Sequence, residues 1–260
     1  MVSQLPVVSS NEVVYPESDG KPMADNTKQF RWIVVIQQNL DWLYGDNPTV
    51  FVAGDLLWYP VEGKPRIVTA PDVMVVFGRP KGDRGSYQQW KEAGIAPQVV
   101  FEILSPGNTQ TEMEKKLLFY ERHGVGEYYI YDPDSNELRG WLRTEDGLEA
   151  LDPIANWVSP QLGIRFDLSH EVLQIHRPDG EPFLSYAEIA QRAEQERQRA
   201  EQERQRAEQE RQRAEQERQR AEQERQRAEQ VETALEQERQ RSHALAERLR
   251  AMGIDPDQSI

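Results

Sequence analysis

The stretch Gln98–Thr109, QVVFEILSPGNT, decides the fold. Residues 98–104 form a short apolar run stopped by Ser105-Pro106-Gly107-Asn108, which reads as a buried strand ended by a turn. Glu102 lies inside that run with apolar residues on both sides. A carboxylate in a central strand is costly unless it is paired, hydrogen-bonded or bound to a metal. Downstream, Thr109–His123 reads as a helix stopped by Gly124, and EYYIYD (Glu127–Asp132) as the next strand. A Pro-Asp-Ser-Asn turn then leads into ELRGWLR, with further strands over Gly147–Leu151 and Leu173–His176.

Upstream, PDVMVVF (Pro71–Phe77) is a second short apolar strand, opened by Asp72. If the two strands are neighbours, Asp72 and Glu102 make a hard, oxygen-rich site suited to Mg²⁺ or Mn²⁺, to which the Ile103 carbonyl could add a ligand. The competing reading pairs each carboxylate with a Lys or Arg at a strand end. Between the strands, the Gly-rich loop Gly78–Pro97 carries Arg79, Lys81, Arg84 and Lys91. These four are candidate phosphate contacts, or alternatively a solubilising loop. Nearer the start, Asp25, Asn26 and Thr27 are cap-type residues before a helical pattern running to Tyr44, and TVFVAGDLLWYP reads as strand. The order is helix, strands, loop, strand, helix, strands, which defines an α/β domain with a mixed sheet.

The chain has no cysteine, so disulfides, thiolate metal sites and a thiol nucleophile are excluded. The four histidines show no metal-ligand spacing. P-loop, Gly-x-Ser-x-Gly and Gly-x-Gly-x-x-Gly patterns are absent. No signal-like start and no run of about 18 apolar residues is present. A cytoplasmic protein without membrane contact is the expectation.

The net charge of −14 is unevenly spread. From Gln191 to Gln230 the heptad RAEQERQ repeats with 11 Arg and 11 Glu, so that stretch is neutral. Residues 1–190 carry 16 basic and 28 acidic side chains, and that acidity opposes binding to a phosphate backbone. The repeat contains only strong helix formers. With Ala193 at heptad position a, Glu196 falls at d, giving one small apolar residue per heptad and a weak coiled-coil seam. The seam improves downstream, where Val231, Leu235, Leu245, Leu249 and Met252 occupy a or d, interrupted by Glu238 and Ser242. The expected organisation is an irregular arm over 1–22, an α/β domain over 23–185, a long charged helix over 186–252 and a flexible tail over 253–260. A coiled-coil partner is expected to pair through residues 231–252.

APDVMVV, VVFEILSPGNT and EKKLLFYERHGVGEYYIYDPD, in that order, resemble the Uma-type family of restriction endonucleases, over roughly Asp19 to Phe183. The resemblance implies the PD-(D/E)XK nuclease fold: a restriction-endonuclease-like mixed sheet flanked by helices, here followed by the long helix. It implies Asp72 and Glu102 as metal ligands. The classical lysine position, two residues after the acid, holds Leu104, a departure the family shares. Lys116, four residues before Tyr120 on the following helix, is the implied substitute, ahead of Lys115. Glu112 fills a position usually acidic in the family. The implied activity is divalent-metal-dependent hydrolysis of phosphodiester bonds in DNA, with dimerisation common in this fold class. A catalytically silent nuclease-fold binding module is the alternative. Tyr120 reads as core packing, and nothing in the sequence decides whether Asp25 or Asp55 approaches the site.

Overall fold

The computed structural model describes residues 13–20 and 22–253. Most of the arm expected over 1–22, and the tail expected over 253–260 apart from Gly253, lie outside the described residues. The chain divides into two units, Met1–Ile189 and Ala190–Ile260.

The first unit is built on a six-stranded sheet. Helix α1 (Thr27–Leu43) begins where the Asn26 side chain accepts the backbone N–H groups of Lys28 and Gln29. Strand β1 (Val50–Gly54) follows, then the two-residue β2 (Trp58–Tyr59) and β3 (Val73–Phe77). The loop after β3 is more structured than its composition predicts. It contains β4 (Tyr87–Gln88), which pairs with β2, and a 3-10 turn at Gln89–Lys91. A two-residue strand offers no periodicity for a sequence reading to detect.

Next come β5 (Val99–Ile103), helix α2 (Gln110–His123), β6 (Glu127–Asp132), β7 (Glu137–Arg143) and β8 (Leu148–Ala150). The short β9 (Arg165–Asp167) and β10 (Gln174–His176) form a separate ribbon. The sheet order is β1-β3-β5-β6-β7-β8. Only β5 and β6 run parallel; the other neighbours are antiparallel, so the sheet is mixed as expected. That parallel pair needs a crossover, which α2 supplies.

Side chains on a strand alternate between faces. Val73, Val75, Val99, Phe101 and Ile103 pack with Ile33, Ile36 and Leu40 of α1. Met74, Val76, Val100 and Ile130 pack with Met113 and Tyr120 of α2. The parity sends Asp72 and Glu102 to the α2 face.

The second unit is helical. Helix α3 (Tyr186–Ala251) spans 66 residues without a buried side chain. Contacts one turn apart run along it, such as the Glu194–Arg197 ion pair at 2.9 Å and the Gln198–Glu194 hydrogen bond at 2.9 Å. Among the described residues, no helix is long and apolar enough to cross a membrane.

Candidate active site

The register of β3 on β5 pairs Val73 with Phe101. One further step along it sets Asp72 opposite Glu102. Asp72 Oδ2 accepts the Ile103 N–H at 2.6 Å, bridging the two strands beyond their last backbone pair. The Ile103 carbonyl accepts the amide of the buried Gln29 at 2.8 Å, and Gln29 also accepts the Asp25 N–H at 2.8 Å. Gln29 therefore ties the start of α1 to the end of β5.

Helix α2 presents Glu112, Lys116 and Tyr120 along one face, because positions four apart stack on a helix. Its start is fixed by Thr109, whose hydroxyl accepts the Glu112 N–H at 3.2 Å, and its end by Gly124, at φ 92°. Lys116 Nζ donates to Glu102 Oε2 at 2.7 Å. The Tyr120 hydroxyl donates to the other oxygen, Oε1. Tyr120 is fully buried and stacks against Trp58, as a packing residue should. It is also a hydrogen-bond partner of the carboxylate, which its sequence context did not signal beyond its i+4 spacing from Lys116.

The turn after β5 is closed by Asn108, whose side-chain oxygen accepts the Ser105 N–H at 2.9 Å. The Ser105 hydroxyl donates to Asp25 at 2.6 Å. Asp25, Asp55, Asp72, Glu112 and Lys116 line a cleft of about 480 Å³. Asp55 sits just past β1 in a left-handed conformation, φ 48°, with its N–H on the Asp72 carbonyl at 3.2 Å. Glu102 is buried behind the wall. Arg79, Lys81, Arg84 and Lys91 are not among the residues lining the cleft. Arg79 and Arg84 both close on Glu92, at 2.8 and 2.7 Å, and Lys81 on Asp41 at 2.9 Å. Lys91 is exposed.

The carboxylates disfavour one another's charge. Burial, and then the nearby Glu102, push Asp72 up to about 8 despite Lys116 and the Ile103 N–H. Burial, and then Asp19, push Asp55 up to about 6. Burial works against the charge on Lys116, but Glu102 and Asp72 outweigh it and hold the ammonium above its ordinary range. Burial, and then Glu102, keep the Tyr120 phenol protonated. Among the described residues, no group of three or more His, Cys, Asp or Glu is placed to hold a metal. The donor set is nevertheless all oxygen and short of positive charge. An ion that keeps several of its own waters fits one or two such carboxylates.

A mixed sheet with a parallel β5–α2–β6 crossover and paired acids at the β3–β5 junction is a restriction-endonuclease-like domain. Residues 21–176 match the Uma2 family, described as "Putative restriction endonuclease", and the chain belongs to that family. Among solved structures, the chain is similar to a "putative nuclease belonging to DUF820" from Anabaena variabilis ATCC 29413. The two are 21% identical over 55% of this chain and 77% of that one, at a TM-score of 0.41. No curated protein matches.

Proposed function

We propose that the protein is a divalent-metal-dependent endonuclease that hydrolyses phosphodiester bonds in DNA. In this reading Asp72 and Glu102 hold the ion, Mg²⁺ or Mn²⁺, and Lys116 assists. The observation that carries it is the Asp72–Glu102–Lys116 cluster: two acids facing across neighbouring strands, with an ammonium 2.7 Å from one of them. Bound there, the ion supplies an acidified water and offsets charge on the phosphate.

The chain's own groups have separable tasks. The Lys116 ammonium is held charged, and it can donate to a phosphate oxygen or orient the attacking water. Tyr120 fixes the Glu102 carboxylate from behind. The Ile103 N–H and Gln29 keep the end of β5 in register with Asp72. Asp55 and Asp25 add negative charge to the cleft, so DNA is expected to bind weakly unless a cation is present. The heptads Val231–Met252 are proposed to join the chain to a coiled-coil partner, with a homodimer as the simplest assembly.

Cleavage assays on duplex and single-stranded DNA and on RNA, with Mg²⁺ or Mn²⁺, test this reading. Metal-dependent cleavage should disappear in Asp72→Asn and Glu102→Gln and fall at least a hundredfold in Lys116→Ala. Unchanged cleavage in either acid variant sinks the assignment.

The alternative is a silent nuclease-fold module. It is favoured by one observation: both Glu102 oxygens are already engaged, one by Lys116 and one by Tyr120. Isothermal titration with Mn²⁺ separates the two readings. Binding lost in Glu102→Gln supports the enzyme, and no binding in the wild type supports the module.

A further inference from the structure

We infer that a second cavity, between α2 and β7, is a subsite for one unpaired base of a nucleic-acid strand whose backbone runs into the carboxylate cleft. The inference rests on the nuclease reading of that cleft and names the form of substrate it takes.

The cavity has a volume of about 320 Å³, at the small end of the range for ligand pockets and fit for one base and its sugar. Its position follows from the sheet. Helix α2 covers β5 and β6, leaving a gutter over β7. Ile130 pairs with Arg139, and Tyr128 with Trp141, so these four side chains share the α2 face. Met113 and Leu117 of α2 form the opposite wall, and Trp141 and Ile130 the floor.

Three features select a nucleotide rather than a lipid or an apolar peptide. The Trp141 indole stacks on Tyr128, with centroids 5.3 Å apart, so it is held flat while lining the cavity. An aromatic face held in this way is a stacking platform for a base. Glu114 and Gln110 line the same cavity and are joined by a 2.9 Å hydrogen bond, offering a donor and acceptors to a base edge. Arg139 is exposed at the rim and, among the described residues, makes no ion pair. The loop cations Arg79, Lys81 and Arg84 are by contrast already neutralised. The Arg139 charge is felt by Asp132 only at longer range; in a domain with a large acidic excess, an exposed guanidinium outside any close ion pair and beside an apolar cavity is placed for a phosphate.

Continuity fixes the path. Asn108, in the turn after β5, lines both the cavity and the carboxylate cleft. A strand crossing the start of α2 can therefore place a base in one and the neighbouring phosphate in the other. A paired base cannot enter, so the subsite selects single strands or a base splayed from a duplex.

The test measures binding of the full-length protein to fluorescein-labelled oligonucleotides by anisotropy, in EDTA at low salt and with protein titrated to high micromolar concentration, where weak metal-free binding is readable and metal-dependent cleavage cannot intervene. The ligands are a single strand, its blunt duplex, single strands with one abasic nucleotide at each position in turn, and unlabelled dAMP and dTMP as competitors. The single strand should bind at least tenfold tighter than the duplex, and one abasic position should weaken it about tenfold. Trp141→Leu should abolish that abasic sensitivity, and Arg139→Gln should weaken all single strands at least fivefold. Competition by dAMP or dTMP at millimolar concentration supports the same pocket. Because Trp141→Leu also loses packing on Tyr128, the exposed Arg139→Gln serves as the second variant, with melting temperature as a control on both. Equal binding of every abasic strand, or of both variants and wild type, overturns the subsite. If duplex is then still cleaved with Mg²⁺, the nuclease reading survives alone. If abasic sensitivity is seen without any metal-dependent cleavage, the subsite survives and the nuclease reading fails.

Discussion

Lys116 Nζ and Glu102 Oε2 meet at 2.7 Å although one residue belongs to a helix and the other to the middle of the sheet. Glu102 is 2% exposed, and Lys116 is its only cationic partner within 4 Å among the described residues. Removing the ammonium leaves a buried carboxylate uncompensated. Lys116→Met is therefore expected to cost about 3 kcal/mol or more. Asp72, which also faces the ammonium, is pushed up to about 8 and carries its proton at pH 5, so the penalty should be larger at pH 8 than at pH 5. Urea denaturation at both pH values checks this, and an equal loss at both would remove the ion pair as its cause.

Asp72 has the opposite character, being a charge the metal-free fold resists. Its pKa is raised from 3.8 to about 8, mainly by burial and next by Glu102. Between those values the folded chain keeps a proton that the unfolded chain has lost. Stability therefore falls as pH rises through that window and levels off above about 8. Asp72→Asn should remove the fall, with an advantage that grows from pH 4 to pH 8 to on the order of a few kcal/mol. Thermal melts across that range, without metal, measure it directly. Added Mn²⁺ should stabilise wild type and leave Asp72→Asn unmoved.

Tyr120→Phe deletes one hydroxyl from a fully buried ring and keeps the packing on Trp58. A hydrogen bond to a charged group is worth about 1.5–3 kcal/mol, and that loss is expected in stability. The further consequence is looser orientation of Glu102. Mn²⁺ affinity should fall roughly tenfold, while the affinity for DNA stays within about twofold of wild type. Calorimetric titration of the metal and anisotropy with DNA separate this positioning role from plain packing.

Much of this geometry was legible in the chain. Asp72 and Glu102 announce themselves because an acid inside an apolar strand demands a reason, and the i+4 spacing of Lys116 and Tyr120 sets both on one helix face. The two-residue strands β2 and β4 and the ribbon β9–β10 were not fully legible, because pairs this short carry no pattern and depend on what packs above them. Gln29 gave no signal either: an amide on α1 becomes structural only when β5 ends beside it. The basic loop shows the limit of composition. Its cations look free in sequence, and Glu92, only 8 and 13 residues away from Arg84 and Arg79, takes up both.

That pairing makes its own prediction. Burial raises the Glu92 carboxyl, but hydrogen bonds from Arg84 and Arg79 outweigh it and leave the group below its usual range. The pairs then contribute stability above the ordinary Glu pKa of 4.5, and this is lost as pH falls through the lowered folded value. Arg84→Ala also removes the guanidinium stacked 3.9 Å over Phe51. It should cost about 1–2 kcal/mol and change DNA affinity less than twofold. A tenfold loss of DNA affinity with unchanged stability would return this loop to the substrate.

With Ala193 at a, the repeat has Arg197 at e and Arg199 at g. In a parallel homodimer Arg199 faces Arg204 of the other chain, and the same clash recurs each heptad; an antiparallel pairing again sets Arg beside Arg. Glu at d adds a further like-charge layer. The repeat is thereby set against pairing with itself and holds its helix through contacts one turn apart. The pattern changes at Arg227, whose parallel partner is Glu232, and from Val231 onward apolar residues return to the seam. Leu235 and Leu245 are 53% and 59% exposed on an isolated helix, so a second copy has apolar area to cover there. Sedimentation equilibrium should find the full chain self-associating, a chain ending at Gln230 monomeric, and Leu235→Glu or Leu245→Glu at least tenfold weaker in association. Deleting two whole heptads from the repeat should leave self-association intact. A chain ending at Gln230 that still dimerises would move the interface to the nuclease domain.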